Sequence, residues 1–433
     1  MCEDLEGVDL IRVALAAGGR HWVRLVRAML AGSLMLVAIS GAAFAGALED
    51  SLAAHENGDD ATALRLIRPL ADQGNSDAQY NLGVIYFTGQ GVARDAAEAA
   101  RWFRLAADQG DAMAQYNLGV MYFSGVGVPQ DRGEAAKWYG LAARQGNGNA
   151  QFNLGVMNQR GEGVAQNLDE AIHWFRLAAD GGYAPAQYNL GFMFGNGQGV
   201  PQDFAEAVRW FRLAAARGDP DAQYSLGLRY HNGEGVPKDD NESIKWLRLA
   251  AEQGHADASS SLGAMYSLGQ GVAQNHAEAA KWLRLAADKG NVKGQFNLGV
   301  MYEHGDGVPQ NFGEASRWYR LAASQGDAAA QLNLGVMSRD GEGGPKDAAG
   351  AIRWFRLAAD QGLALAQFNL GLMYANGLGP RDDVQADMWL SLAEAQGTPD
   401  ARRNRELVER AMTSAQTAEA RELARNWKPK PGP

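Results

Sequence analysis

The sequence predicts an all-α protein built from stacked helical hairpins, with a helical cap at each end. Three observations predict it. A segment such as "AQYNLGVMYFSGVGVPQD" (Ala114–Asp131) recurs nine times, spaced 36 residues apart. Apolar letters within each copy follow the 3.6-residue period of a helix. Glycines and capping residues stand where such helices would stop and start. Fixed spacing of this kind means that each copy is one module stacking in register on its neighbours.

Composition sets outer limits. The chain has 433 residues, 46% hydrophobic and 21% charged, which is globular usage. Its net charge is -10, with acids and bases interleaved, which excludes a general phosphate-backbone binder needing clustered Lys and Arg. A single cysteine, Cys2, excludes a disulfide framework.

The elements follow in order. Arg20, Arg24 and Arg27 precede an apolar run from Ala28 to Ala45 that ends in Ala43-Phe44-Ala45. A basic flank, an apolar core and a small-x-small ending read as a secretory signal peptide cleaved after Ala45, so residues 1–45 form a signal and upstream extension. The long stretch ahead of the core points to initiation near Val23. The competing reading is a retained anchor, although a run of 18 with Gly32 and Gly41 is at the short limit for a span. Residues 46–74 read as a capping hairpin broken at Asn57-Gly58.

Residues 75–397 hold the nine repeats. The block's leading Gln falls at 79, 115, 151, 187, 223, 295, 331 and 367, with Ser259 in the missing place, and the last repeat loses one loop residue. In the second repeat, Ala114, Leu118, Met121 and Tyr122 line one side of a first helix that Gly125 ends. Gly119 sits inside that helix, as glycine does in all nine copies, at a cost of about 1 kcal/mol against alanine. Close approach of another helix is the expected return. Asp131 with Glu134 forms a capping-box signature for a second helix carrying Ala135, Trp138, Leu141 and Ala142. The tryptophan recurs at 102, 138, 174, 210, 246, 282, 318, 354 and 389. Burying such a ring removes roughly 150–250 Å² from water, so the indoles are expected to glue hairpins together. The one-per-repeat methionines cannot converge on a metal and read as core. Residues 398–433 read as a helical cap starting at Thr398-Pro399, a further helix from Thr413 with Gln416, and a disordered tail, "KPKPGP".

The block "AQYNLGVMYFSGVGVPQD", followed by "EAAKWYGLAARQG" at a 36-residue period, resembles the Sel-like repeat family, a relative of the tetratricopeptide repeats. The resemblance implies an α/α solenoid, a right-handed superhelix of stacked helical hairpins with a concave inner surface. It also implies an adaptor or scaffold for other macromolecules, often in bacterial signalling or envelope processes. Some cysteine-rich members staple each hairpin with a disulfide, and nothing specific to that branch carries over.

No catalytic constellation is present. The loop G-x-G follows a helix rather than a strand and lacks the further glycine of a phosphate loop. H-E-x-x-H, C-x-x-C and G-x-S-x-G are absent. The seven histidines follow no repeat pattern. Binding is expected on the first helices, which line the concave face in such a stack. Its candidates are an aromatic column, Tyr80, Tyr116, Phe152, Tyr188, Tyr224, Phe296 and Phe368, and a freely varying column, Phe87, Phe123, Gln159, His231, Glu303 and Arg339. The aromatic column can equally be packing between repeats. A second varying column holds Thr88, Ser124, Arg160, Asn196, Asn232, Leu268, His304, Asp340 and Asn376. The "SSS" at 259–261 and Arg229 mark residues 229–268 as a kink or specialised contact.

The expectation is a non-catalytic, exported scaffold of the bacterial periplasm that binds a protein or peptide, without cofactor or metal. The alternative is a carbohydrate or peptidoglycan module using the aromatic stripe. A hydrolase ranks last, nucleic acid is excluded as a partner, and a membrane is reached only through an uncleaved signal anchor.

Overall fold

The computed structural model describes residues 40–379 and 381–430. The signal-peptide reading therefore lies largely outside the described residues. Among them, the chain forms 22 α-helices and no strand. It divides into two compact halves, Met1–Ala214 and Ala215–Pro433. Within each half, antiparallel hairpins stack as in an α/α solenoid, the fold class that the sequence predicts.

In the first half, Ser40–Glu56 pairs with Asp60–Asp72, and the repeats begin with Ser76–Thr88 and Ala96–Asp108, then Ala112–Ser124 and Arg132–Arg144. Gly148–Arg160 with Leu168–Asp180, then Ala184–Asn196 leading into Phe204–Ala216, follow. The second half continues from Pro220–Asn232 to Asp383–Ala395 and ends with Ala401–Glu409 and Ser414–Asn426. No helix among the described residues is long and apolar enough to cross a membrane.

The helix ends obey capping chemistry. Asp111 accepts from Ala114 N–H, and Gly125 closes the first helix in the left-handed region at φ 74°. The second glycine of the loop has a different duty: a Cβ on Gly127 would lie 2.2 Å from Ala96 O, at the start of the preceding repeat's second helix. The G-x-G is thus one cap and one inter-repeat contact. Asp131 accepts from Glu134 N–H, as expected. The acidic partner does not reach back to close a box. Glu134 pairs with Lys137, and Glu98 accepts from Trp102 Nε1 at 2.8 Å. The reciprocal capping box is seen at Thr413 and Gln416.

The invariant glycine receives the second helix. Tyr139 lies flat on Gly119, so a Cβ there would sit 2.7 Å from the ring. Phe103 on Gly83, Phe175 on Gly155 and Leu247 on Gly227 repeat the contact. Tryptophans join repeats, as expected. Trp138 is buried in a cluster with Tyr80, Phe103 and Ala107 of the repeat before it, and Arg104 of that repeat stacks on its ring at 5.2 Å. The same arginine donates to Tyr122 Oη, 18 residues on. Arg284 binds Tyr302 and stacks on Trp318 in the same way. Glutamines add a polar stitch: Gln115 Nε2 donates to Ala107 O at 3.0 Å, and Gln145 Nε2 donates to Gln115 Oε1 at 2.8 Å. Ala107 O also accepts from Gly110 N–H at 3.0 Å, so the glutamine reinforces a helix end that its own turn already closes.

Several joints depart from this plan, among them those of Gly181 and Arg217, which stand where a glutamine recurs, and of Ser338, which stands where a tyrosine recurs. Gly140 replaces the arginine, and Asn158 replaces its tyrosine. Asn158 instead donates to Leu154 O within its own helix. In the sixth repeat, Ser259 stands for the stitching glutamine and Lys289 for its partner. The helix Ala256–Leu268 remains continuous, and Ser259 Oγ bonds His255 O at 3.2 Å. The predicted kink is therefore a change of packing partners, because small serines vacate a joint without altering the helical register.

The C-terminal cap differs from expectation in two respects. Thr398 N–H closes the preceding helix onto Ala393 O, and the next helix starts at Ala401 behind Asp400, which takes φ 60°. Residues 427–430 are not a free tail, since Lys430 N–H donates to Asp360 O at 2.8 Å.

Gly119→Ala should destabilise the protein by roughly 1–3 kcal/mol through overpacking, although alanine is the better helix former. Gly140→Ala should instead add about 1 kcal/mol, because the nearest atoms to its Cβ are 3.8 Å away. Denaturant melts of the two variants check the opposite signs.

Candidate binding face of the first helices

Each first helix buries one side and leaves the other open. In the second repeat Ala114, Gln115, Leu118 and Met121 are buried. Met113, Asn117, Val120 and Ser124 recur at helical spacing on the other side and are only part-covered. On this open side three large apolar side chains are exposed: Phe192 at 41%, Leu268 at 67% and Leu365 at 51%. Singly exposed apolar groups are ordinary on a protein surface, and these three are set among side chains that differ from repeat to repeat.

The aromatic column lies deeper than a presented stripe would. Tyr80 and Tyr116 are buried, whereas Phe152, Tyr188, Tyr224, Phe296 and Phe368 are half-buried. The rings lean on the second helix of their own hairpin, as in Tyr80–Phe103 at 5.7 Å and Phe296–Tyr319 at 5.8 Å between centroids. Burial pushes the Tyr80 phenol up to about 12, where Asn117 of the next repeat hydrogen-bonds it. These rings therefore help to build the hairpin core.

The first varying column is likewise engaged. Phe87 is buried with Arg94 stacked on it at 5.2 Å, so its place on a ligand-facing surface is corrected by packing. Phe123 is half-buried beneath Arg132. Gln159 is half-buried, and its carbonyl accepts from Gln166. His231 bonds Asp240 at 2.7 Å, and Glu303 accepts from Tyr319 Oη. Arg339 forks onto Asp340 and reaches Asn369 Oδ1 at 2.9 Å. The exposed column is the one a residue further on: Thr88, Arg160, Asn196, Asn232, Leu268, His304 and Asp340. One residue turns a helix by about 100°, which separates the two columns.

What sequence reasoning missed is the inter-repeat pairing of Arg104 with Tyr122 and of Gln145 with Gln115. Both partners change together at Gly140 with Asn158 and at Ser259 with Lys289, but Arg320 is kept where its tyrosine is Ser338 and Gln151 where its glutamine is Gly181, so the pattern does not identify the pairs by itself. No group of three or more potential metal ligands occurs among the described residues.

Comparison with known proteins bears on the whole array. The family model of the Sel1 repeat matches nine consecutive segments, 76–111, 112–147, 148–183, 184–219, 220–255, 256–291, 292–327, 328–363 and 364–398. A solved protective antigen present in uropathogenic Escherichia coli strains, displaying an SLR fold, is similar at 33% identity. The match covers 89% of this chain and 91% of that one with a TM-score of 0.60. A solved Sel1 repeat protein from Oxalobacter formigenes is 36% identical over 72% of this chain and 90% of its own, also at 0.60. A search of curated proteins returns no match.

One buried acid stands apart from the open side. Asp387 occupies the position where earlier repeats carry Ala100, Ala136 or Ile172. It is fully buried, and neither carboxylate oxygen has a hydrogen-bond partner. Burial, then the neighbouring Glu409, pushes its pKa up to about 6, against relief from Arg405 and Arg421. A pKa raised in the folded state favours folding with the proton on. The charged form becomes a cost as pH rises from the unfolded value near 4 to about 6, and stays one above it. Asp387→Ala should stabilise the protein at pH 7 by roughly 1–3 kcal/mol and bring no such gain below pH 4. Melting curves across that range check both arms.

Proposed function

The chain belongs to the Sel1 repeat family, and from that premise we propose that it is a non-catalytic scaffold binding a protein or peptide on the open side of its first helices. Sel1 repeat proteins are typically protein-interaction scaffolds. The observation that carries the reading is the exposed apolar groups of the first helices, Phe192 in the first half and Leu268 and Leu365 in the second, each set among residues that vary from repeat to repeat on an otherwise fixed template. Positions that packing does not dictate are free to be shaped by a partner. The aromatic column is buried or half-buried against the second helices, which favours a polypeptide over a glycan, because sugar stacking needs exposed ring faces.

Export belongs to the same proposal. The Arg-flanked apolar run ending at Ala45 supports delivery to a bacterial periplasm, where the scaffold would serve envelope-associated regulation or assembly.

Crosslinking in native envelopes, with the captured species identified, is the direct test. Phe192→Ala with Leu268→Ala should lower capture at least tenfold and leave the melting temperature unchanged. Leu105→Ala, on a second helix, should leave capture intact. Equal capture by all three proteins, or capture of cell-wall material alone, overturns the reading. N-terminal sequencing of the exported form should begin at Gly46, and soluble protein beginning at Met1 counts against export.

A further inference from the structure

The exposed face of the second helices lies apart from the open side of the first helices. In the second half it carries Leu249, Leu285 and Leu321, which are 39%, 48% and 41% exposed and hold the same position in successive repeats. Four residues before each leucine stands a cation, Lys245, Lys281 or Arg317. Three residues after it stand Glu252, Asp288 and Ser324 in turn. On a helix, residues spaced by four and then three share one face. At 1.5 Å per residue, the cation lies about 6 Å before the leucine along the axis and the acid about 4.5 Å after it. The face is therefore three parallel rows, one basic, one apolar and one acidic.

The two charged rows differ in what they already hold. Lys245, Lys281 and Arg317 reach back to Glu242, Glu278 and Glu314 at 3.2, 2.9 and 3.4 Å, and all three cations are more than half exposed. Exposed pairs of this kind are worth little, so the cations are free to turn to another carboxylate. Glu252 and Asp288 form no ion pair among the described residues. Further along the acidic row a lysine does seat itself, since Lys430 Nζ lies 3.4 Å from Asp360 Oδ2. In the first half the rows do not match. Arg144 stands in the acidic row of the repeat that carries Lys137, and Ala216 leaves another place uncharged.

We propose that the second-half face pairs with the same face of a second copy of this chain, as a twofold dimer. Laid face to face about an axis parallel to the rows, two copies set leucine on leucine. Lys281 then meets the partner copy's Asp288, Lys245 meets the partner copy's Glu252, and each contact is made twice. Turning the second copy about an axis along the helices would set cations on cations and acids on acids, so charge selects one arrangement. The same arrangement of two first halves would press Lys137 against Arg144, which confines the contact to the second half. Leu268 and Leu365 belong to first helices and stay outside it.

Sedimentation of the full chain over a concentration series tests the pairing. A concentration-dependent dimer is expected. Glu252→Lys with Asp288→Lys should weaken it at least tenfold, and so should Lys245→Glu with Lys281→Glu. Mixing the two variants should restore a dimer at least as tight as the parent's, because both rows of one are then basic and both rows of the other acidic. Recovery on mixing also shows that both variants are folded. Leu285→Ser should weaken the parent dimer at least fivefold. A chain monomeric at every concentration, a dimer indifferent to both charge reversals, or variants that do not recover on mixing overturns the proposal. So does a dimer that Phe192→Ala with Leu268→Ala dissolves, because the contact then lies on the first helices. Partner capture by the first helices should be unchanged in the charge variants, so the two readings fail separately.

Discussion

The structure depends on a second-helix side chain, an aromatic ring or a leucine, resting on a backbone that has no Cβ. Tyr139 over Gly119, Phe175 over Gly155 and Leu247 over Gly227 are the same contact repeated. It sets the separation of the two helices in each hairpin. Trp138 in turn is buried in one cluster with the repeat before it. A glycine that lowers helical propensity is kept because a methyl group would push a buried ring out of place. Gly127 applies the same logic between repeats, where the loop of one hairpin abuts the backbone of the last.

Much of this was legible in the sequence, for a physical reason. A 36-residue period tests the same pattern nine times, so helix ends, caps and the core-facing letters are read redundantly. The glycine's return as close approach, and the tryptophan's place between hairpins, followed from cost and area alone. What stayed hidden were the directions of polar side chains. Glu134 could close a capping box or turn to Lys137, and only neighbours decide. Phe87 and Thr88 are adjacent letters, yet one is buried and the other exposed. The tail "KPKPGP" has the composition of disorder, but Pro429 fits above Gly362 because two distant segments are brought together.

The polar contacts between repeats explain why the array tolerates variation on one side and not on the other. Gln115, Gln145, Arg104 and Tyr122 bind across the joints, and Asn117 and Asn369 add contacts between repeats, while the column of Asn196, Leu268 and His304 stays exposed. The framework is thus held from within and from the second-helix side. Surface letters such as Asn196, Asn232, Leu268 and His304 differ without disturbing it. Shape and surface chemistry are separated into different columns of one short template. That separation lets a repeat array present different surfaces on one scaffold.

The joint at Gly140 and Asn158 carries a mechanical consequence. Contacts in such a stack run almost wholly between neighbours, so cohesion is no greater than that of the poorest interface. Here the cationic clasp on the following tyrosine is missing, while glycine also loosens the helix that should supply it. Thermal opening or a pull along the array would therefore begin at this seam. Residues 112–147 would part from residues 148–183 before the clasped neighbours yield.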